Sequence, residues 1–224
     1  MVQKTPFATL CGRLDTAAAG RAVTLVAASK SQPVQALRAL AAEGQRGFGE
    51  NYVQEALAKQ RELADLDLEW HMIGPLQSNK CAEVARHFHW LQSLDREKLI
   101  APLARARPEE MPPLNVLIEV NSGGEPSKSG CVPEQIPGLA AKIAGEPALH
   151  LRGLMAIPEP VPDLSERRAA FARLRGMFEA LHREYPQADT LSMGMSEDFE
   201  LAILEGATMV RIGTALFGPR KREL

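Results

Sequence analysis

Two groups of residues, one near each end of the chain, have the chemistry to hold a carbonyl compound. Lys30 follows Ser29 and the apolar run VTLVAA (23–28). Ser192, Gly194 and Ser196 follow one late apolar run, and Arg211, Gly213 and Thr214 close another. A primary amine condenses with an aldehyde or ketone to an imine. Hydroxyls and the backbone N–H groups of a glycine turn bind phosphate, and a helix starting at Thr214 would favour an anion at its N-terminus. Brought together, the two groups would hold a phosphorylated aldehyde or ketone. Taken singly they carry little. A lysine after a strand is usually a solvated surface residue, and a glycine at a strand end usually only turns the chain.

What positions them is a series of short apolar runs alternating with amphipathic stretches. Residues 23–28, 46–49, 68–74, 88–94, 114–121, 149–157, 190–193 and 208–212 read as strands. Residues 33–43, 52–63, 79–86, 96–105, 133–144, 164–184, 198–205 and the stretch from Ala215 onward read as helices. Parallel strands need helical crossovers, and their two covered faces make near-continuous apolar runs. The expected fold is therefore α/β, a (β/α)8 TIM barrel, as one domain over residues 1–224. A doubly wound open sheet is the rival, but the first turn reads SKSQP and is not glycine-rich. Two local departures are expected. The stretch before the first strand is short, so its helix should be truncated or differently capped, and Pro102 should kink or delay the helix over 96–105.

In such barrels the working face lies at the C-terminal ends of the strands, and phosphate commonly binds after strands seven and eight. Those ends carry Lys30, Glu50, Asn51, Gly74, Pro75, Asn121, Ser192, Ser196, Arg211, Gly213 and Thr214. Barrel closure makes strand eight the neighbour of strand one, which would set Lys30 beside the 192–214 group. His71 lies within the third strand and reads as a packed, hydrogen-bonded histidine. The 121–130 loop, with Glu125, Lys128 and Ser129, reads equally as a ligand contact or a solvated turn.

The bulk numbers exclude several classes. The chain has 224 residues, 45% of them hydrophobic, and a net charge of −2. No global basic field exists to recruit nucleic acid. The basic clusters Arg167–Arg168 and Arg220, Lys221, Arg222 read as solvated surface. Three scattered cysteines and no HExxH spacing disfavour disulfides and a metal site. No apolar run is long enough for a signal peptide or a membrane span, so the cytoplasm is the expected compartment.

Several longer segments are far more specific. LVAASKSQPV (25–34), GQRGFGENYVQE (44–55), EWHMIGPLQSNK (69–80), LNVLIEVNSGGEPSKSG (114–130), LRGLMAIP (151–158), LSMGMSEDFELAI (191–203) and MVRIGTALFG (209–218) span nearly the whole chain. On these the sequence resembles the pyridoxal phosphate homeostasis proteins, the PLP-binding family also called PROSC or YggS-like. The resemblance implies the barrel of fold-type III PLP proteins, as in the N-terminal domain of alanine racemase. It implies pyridoxal 5'-phosphate as a Schiff base on Lys30, with Arg211 facing the pyridine nitrogen. Ser196, Gly213 and Thr214 would bind the phosphate, while Asn51 and Met193 would line the cofactor, although Asn51 could instead cap the helix from Tyr52.

The resemblance also implies PLP storage or delivery without catalytic turnover, in a monomer that serves PLP-requiring apoenzymes. Fold-type III racemases add a tyrosine from a second, β-rich domain. This chain ends soon after the eighth strand, and its only tyrosines are Tyr52 and Tyr185. A PLP-dependent racemase or lyase is the alternative. A Schiff-base aldolase fits less well, since such barrels usually carry their lysine on the sixth strand and LHLRGLMAI (149–157) has none.

Overall fold

A computed structural model describes residues 5–123, 129–159 and 161–218. Glu125, Lys128 and the Arg220, Lys221, Arg222 cluster lie outside the described residues. Eight parallel strands close on themselves: β1 (Thr24–Ala28), β2 (Gly47–Glu50), β3 (Glu69–Met72), β4 (Trp90–Leu94), β5 (Leu114–Glu119), β6 (Leu149–Met155), β7 (Thr190–Ser192) and β8 (Met209–Ile212). Helices α2 (Val34–Ala42), α3 (Val53–Glu62), α4 (Cys81–His87), α5 (Ile100–Ala106), α6 (Ile136–Ala144), α7 (Leu164–Glu184), α8 (Phe199–Leu204) and the single turn α9 (Thr214–Phe217) follow the strands in order. The eight expected units are all present, with ends shifted by a few residues where short 3₁₀ turns lead into α4, α5 and α6.

Helix α1 (Pro6–Ala18), 13 residues long, precedes the barrel. Thr5 caps it by accepting from the Ala8 N–H at 3.2 Å, and Pro6 occupies the first turn, where its missing N–H costs nothing. Leu10, Leu14 and Ala18 are buried from one face, and Arg13 makes a two-pronged ion pair with Glu200 of α8. Pro102 delays α5 rather than kinking it. A 3₁₀ turn, Glu97–Leu99, comes first, and the proline falls in the first turn of the helix.

The core has two parts. Outward residues such as Phe48, Leu91, Ile118 and Leu154 pack under the helices. Val26, Trp90, Leu117, Met155 and Met209 form a separate inner cluster. At the N-terminal end of the barrel, Arg152 lies 4.8 Å over the Trp90 ring and binds Asp189 and Asn115. Among the described residues, no helix is long and apolar enough to cross a membrane, and no cluster of His, Cys, Asp or Glu is arranged to hold a metal.

The register between β5 and β6 shifts after Val116, and there Gly153 takes φ +138°. A Cβ at Gly153 would meet the Thr190 carbonyl oxygen at 1.9 Å, so both conformation and contact demand glycine. Gly153→Ala should cost at least about 2 kcal/mol and lower the thermal midpoint by roughly 4–8 °C. An unchanged midpoint by circular dichroism would contradict this packing.

Candidate functional site

β8 pairs with β1 in the register Val26↔Arg211 and Ala27↔Ile212, so the last strand stands beside the first. Above that seam, at the C-terminal ends of the strands, opens a cavity of about 420 Å³. Lys30, Asn51, Ser196, Arg211, Gly213 and Thr214 all line it. The volume is in the range of small-molecule sites.

The turn carrying Lys30 is gripped on both sides of the lysine. Ser29 is fully buried and donates its hydroxyl to Glu50 Oε1 at 2.6 Å. Lys59 of α3 donates to the same Oε1, to the Ser29 carbonyl and to Glu55 Oε1, each at 2.7 Å. Glu55 in turn accepts from the Ser31 N–H at 2.6 Å. Ser31 sits at φ +60°, a conformation that a non-glycine residue holds only when its surroundings impose it. Glu50 and Lys59 are both buried. Burial pushes the Glu50 carboxyl upward in pKa, against the hydrogen bonds from Lys59 and Ser29.

On the neighbouring wall, the Ala215 N–H donates to Ser196 Oγ at 3.2 Å, joining the turn after β7 to the turn after β8. Gly213 sits tight against β1, where a Cβ would lie 3.3 Å from the Ala28 carbonyl oxygen. Met195 N–H donates to Asp198 Oδ1 at 2.7 Å, which closes the turn that holds Ser196. Helix α9 is only four residues long, so the donors here are hydroxyls and turn amides, not a sizeable helix dipole.

Arg211 rises from β8 into the floor of the cavity, buried to 4% exposure. It donates from Nη1 to Ser192 Oγ at 2.6 Å and from Nη2 to the Ala156 carbonyl at 2.9 Å. Burial lowers its pKa to about 10, opposed by Glu119 and Asp198, so it remains a cation at neutral pH. An adjoining lobe of about 210 Å³ shares Asn51, Ile73 and Ile157 and is bordered by Glu119, Asn121, Ser122 and Ser129. Burial, with Asp95 adding to it, raises Glu119 to about 7.

Two placements, Met193 and Arg167, differ from expectation, and one open alternative, at Asn51, is decided. Met193 is fully buried in the layer under the helices and does not line the cavity; Met195, two residues on, does. Asn51 does not cap α3, which starts at Val53 without a side-chain cap. Arg167 was expected on the solvated surface with Arg168, yet it lines the cavity from the first turn of α7, anchored on the Val161 carbonyl. Its position just after the long sixth βα loop was the available signal. The Lys59 clamp had none, because lysine is so seldom buried.

Comparison with known proteins agrees with this architecture. Residues 11–221 match the family model of the alanine racemase N-terminal domain. The chain is 57% identical over 206 residues to the pyridoxal phosphate homeostasis protein of Pseudomonas aeruginosa, covering 91% of this chain and 88% of that one. It is 48% identical to the protein of that name from Escherichia coli, covering 95% and 90%. PipY of Synechococcus elongatus, solved with PLP bound, superposes with a TM-score of 0.80 at 39% identity, covering 93% of this chain and all of that one. Alanine racemase from Corynebacterium glutamicum shares the fold at a TM-score of 0.71 and 20% identity, and the match covers 62% of its length.

Two predictions follow from the buried charges. Lys59→Met should leave Glu50 buried without its cation and cost about 3–5 kcal/mol, a fall in thermal midpoint on the order of 10 °C. Adding Glu50→Gln should restore part of that loss, and strictly additive losses would refute the pairing. Glu119 keeps its proton in the native state up to about pH 7, whereas an ordinary glutamate loses it near 4.5. Stability should therefore fall as pH rises through that window, by about 3 kcal/mol in all. In urea unfolding of the cofactor-free protein, Glu119→Gln should exceed the wild type by up to that amount at pH 8 and match it at pH 4. Equal stability at pH 8 would count against the elevated carboxyl.

Proposed function

This chain belongs to the pyridoxal phosphate homeostasis proteins, within the family of the alanine racemase N-terminal domain, and on that premise we propose that it binds pyridoxal 5'-phosphate through Lys30 and stores or delivers it. The observation that carries this reading is a single cavity lined by an amine, two hydroxyls, a glycine turn and a buried guanidinium. That donor set fits the group: an aldehyde, a dianionic phosphate and a pyridine ring each meet chemistry suited to them. When bound, PLP supplies an aldehyde that a lysine holds as a Schiff base, and a ring whose protonation governs its power as an electron sink.

Each residue of the chain then has a task. Lys30 is the covalent anchor, and the clamp of Glu50, Lys59 and Glu55 fixes the turn that presents it. Ser196, Thr214 and the backbone at Gly213 receive the phosphate, with Arg167 adding positive charge to the cavity lining. Asn51 lines the ring's surroundings. Arg211 meets the pyridine nitrogen as a cation, which disfavours protonation of the ring and weakens the electron sink. The name homeostasis protein, borne by the relatives in Pseudomonas aeruginosa and Escherichia coli, supports a carrier over a racemase or lyase. We read the chain as one PLP-binding barrel acting as a monomer in the cytoplasm, with PLP-requiring apoenzymes as the recipients.

Lys30→Ala should abolish the visible absorption band of the PLP-loaded protein and its trapping by borohydride. A trapped peptide containing Lys80 or Lys59 instead of Lys30 would overturn the assignment. In the same assay Arg211→Ala should weaken PLP retention while the fold persists, and unchanged affinity would remove Arg211 from the site.

A further inference from the structure

Arg211 is held from below by a line of polar side chains inside the barrel, and the direction of every link can be deduced. An arginine can only donate, so Ser192 Oγ accepts from Nη1 at 2.6 Å. The one proton of Ser192 must then go onward, to Gln92 Oε1 at 2.7 Å. That orients the Gln92 amide and turns its NH₂ towards His71 Nδ1 at 3.0 Å, with Met209 Sδ at 3.1 Å. An NH₂ does not accept, so Nδ1 carries the lone pair and the His71 proton is on Nε2. Nε2–H faces Glu69 Oε1 at 2.8 Å.

The surroundings agree with this assignment. His71 is fully buried and stacked on Trp90 at 5.4 Å and 14°, and burial lowers its pKa, which keeps the ring neutral. The hydrogen bond from His71 holds Glu69 below the usual carboxylate range, so the chain ends on an anion. Glu69 opens β3, and its side chain is 44% exposed at the barrel face opposite the cavity. The line therefore crosses the barrel from the working face to the far rim.

We propose that Gln92, His71 and Glu69 are positioning residues for Arg211, forming a one-way hydrogen-bond chain that fixes how the guanidinium meets the cofactor's ring nitrogen. This rests on the reading of Arg211 given above.

Two measurements test it. In the ¹⁵N-histidine-labelled, cofactor-free protein, His71 should be the Nε2–H tautomer from pH 6 to 8; an Nδ1–H or doubly protonated ring would overturn the chain. In PLP titrations followed by absorbance, Gln92→Leu should weaken binding about tenfold in the wild-type background and less than about twofold beside Arg211→Ala. Equal losses in the two backgrounds, or none in the first, would overturn the proposal. A wild-type protein that takes up no PLP would sink the functional reading instead, and the tautomer would still decide the chain. If Gln92→Leu does not fold, the tautomer alone decides.

Discussion

Hydrogen bonding of β8 onto β1 is the constraint on which the site depends. Lys30 lies near the start of the sequence, and Arg211, Gly213 and Thr214 lie near its end. Only closure of the sheet, in the register Val26↔Arg211, makes them walls of one cavity. A parallel strand pair with helical crossovers has no freedom to slip by one residue, because a slip turns every inward side chain outward. The same register therefore sets Arg211 inside the barrel and packs Val210 and Ile212 beneath the helices.

The barrel interior is more polar than packing alone requires. Glu119, His71, Gln92, Ser192 and Arg211 are buried beside the inner cluster of Val26, Trp90, Leu117, Met155 and Met209. Behind the sheet, Glu50 and Lys59 are buried as well. Such groups lose hydration and regain only part of it through partners, so they are poor sources of stability. Their arrangement suits positioning. The Lys59 cluster fixes the backbone on both sides of Lys30, and the chain through Ser192 fixes the guanidinium across the cavity. The two reacting faces of the site are thus held by separate networks.

Much of this was legible in the sequence, for identifiable reasons. Apolar runs such as VTLVAA and LNVLIEVN, separated by amphipathic segments, pointed to eight parallel units, and all eight are present. Barrel geometry then singled out strand ends, which is how Lys30, Asn51, Ser196, Arg211, Gly213 and Thr214 were found. Met193 was misjudged because alternation along the strand, with Ser192 inward, turns it outward beside Leu191 into the layer under the helices, and Met195 faces the cavity instead. Arg167 was missed because it belongs to the helix after a long loop, outside the strand-end rule. The short segment before β1 forms α1 because Thr5 and Pro6 start it and α8 packs beside it. No pattern announced Lys59, since its burial follows from the Glu50 carboxylate that it meets across the fold.

Covalent capture by Lys30, with the phosphate on the seam between β7 and β8, is the central claim. A crystal structure of the protein soaked with pyridoxal 5'-phosphate tests it most directly. The account predicts continuous density from Lys30 Nζ into the cofactor, with the phosphate against Ser196 and the turn at Gly213–Thr214. Cofactor density joined to another lysine, or a phosphate held away from that turn, would contradict it.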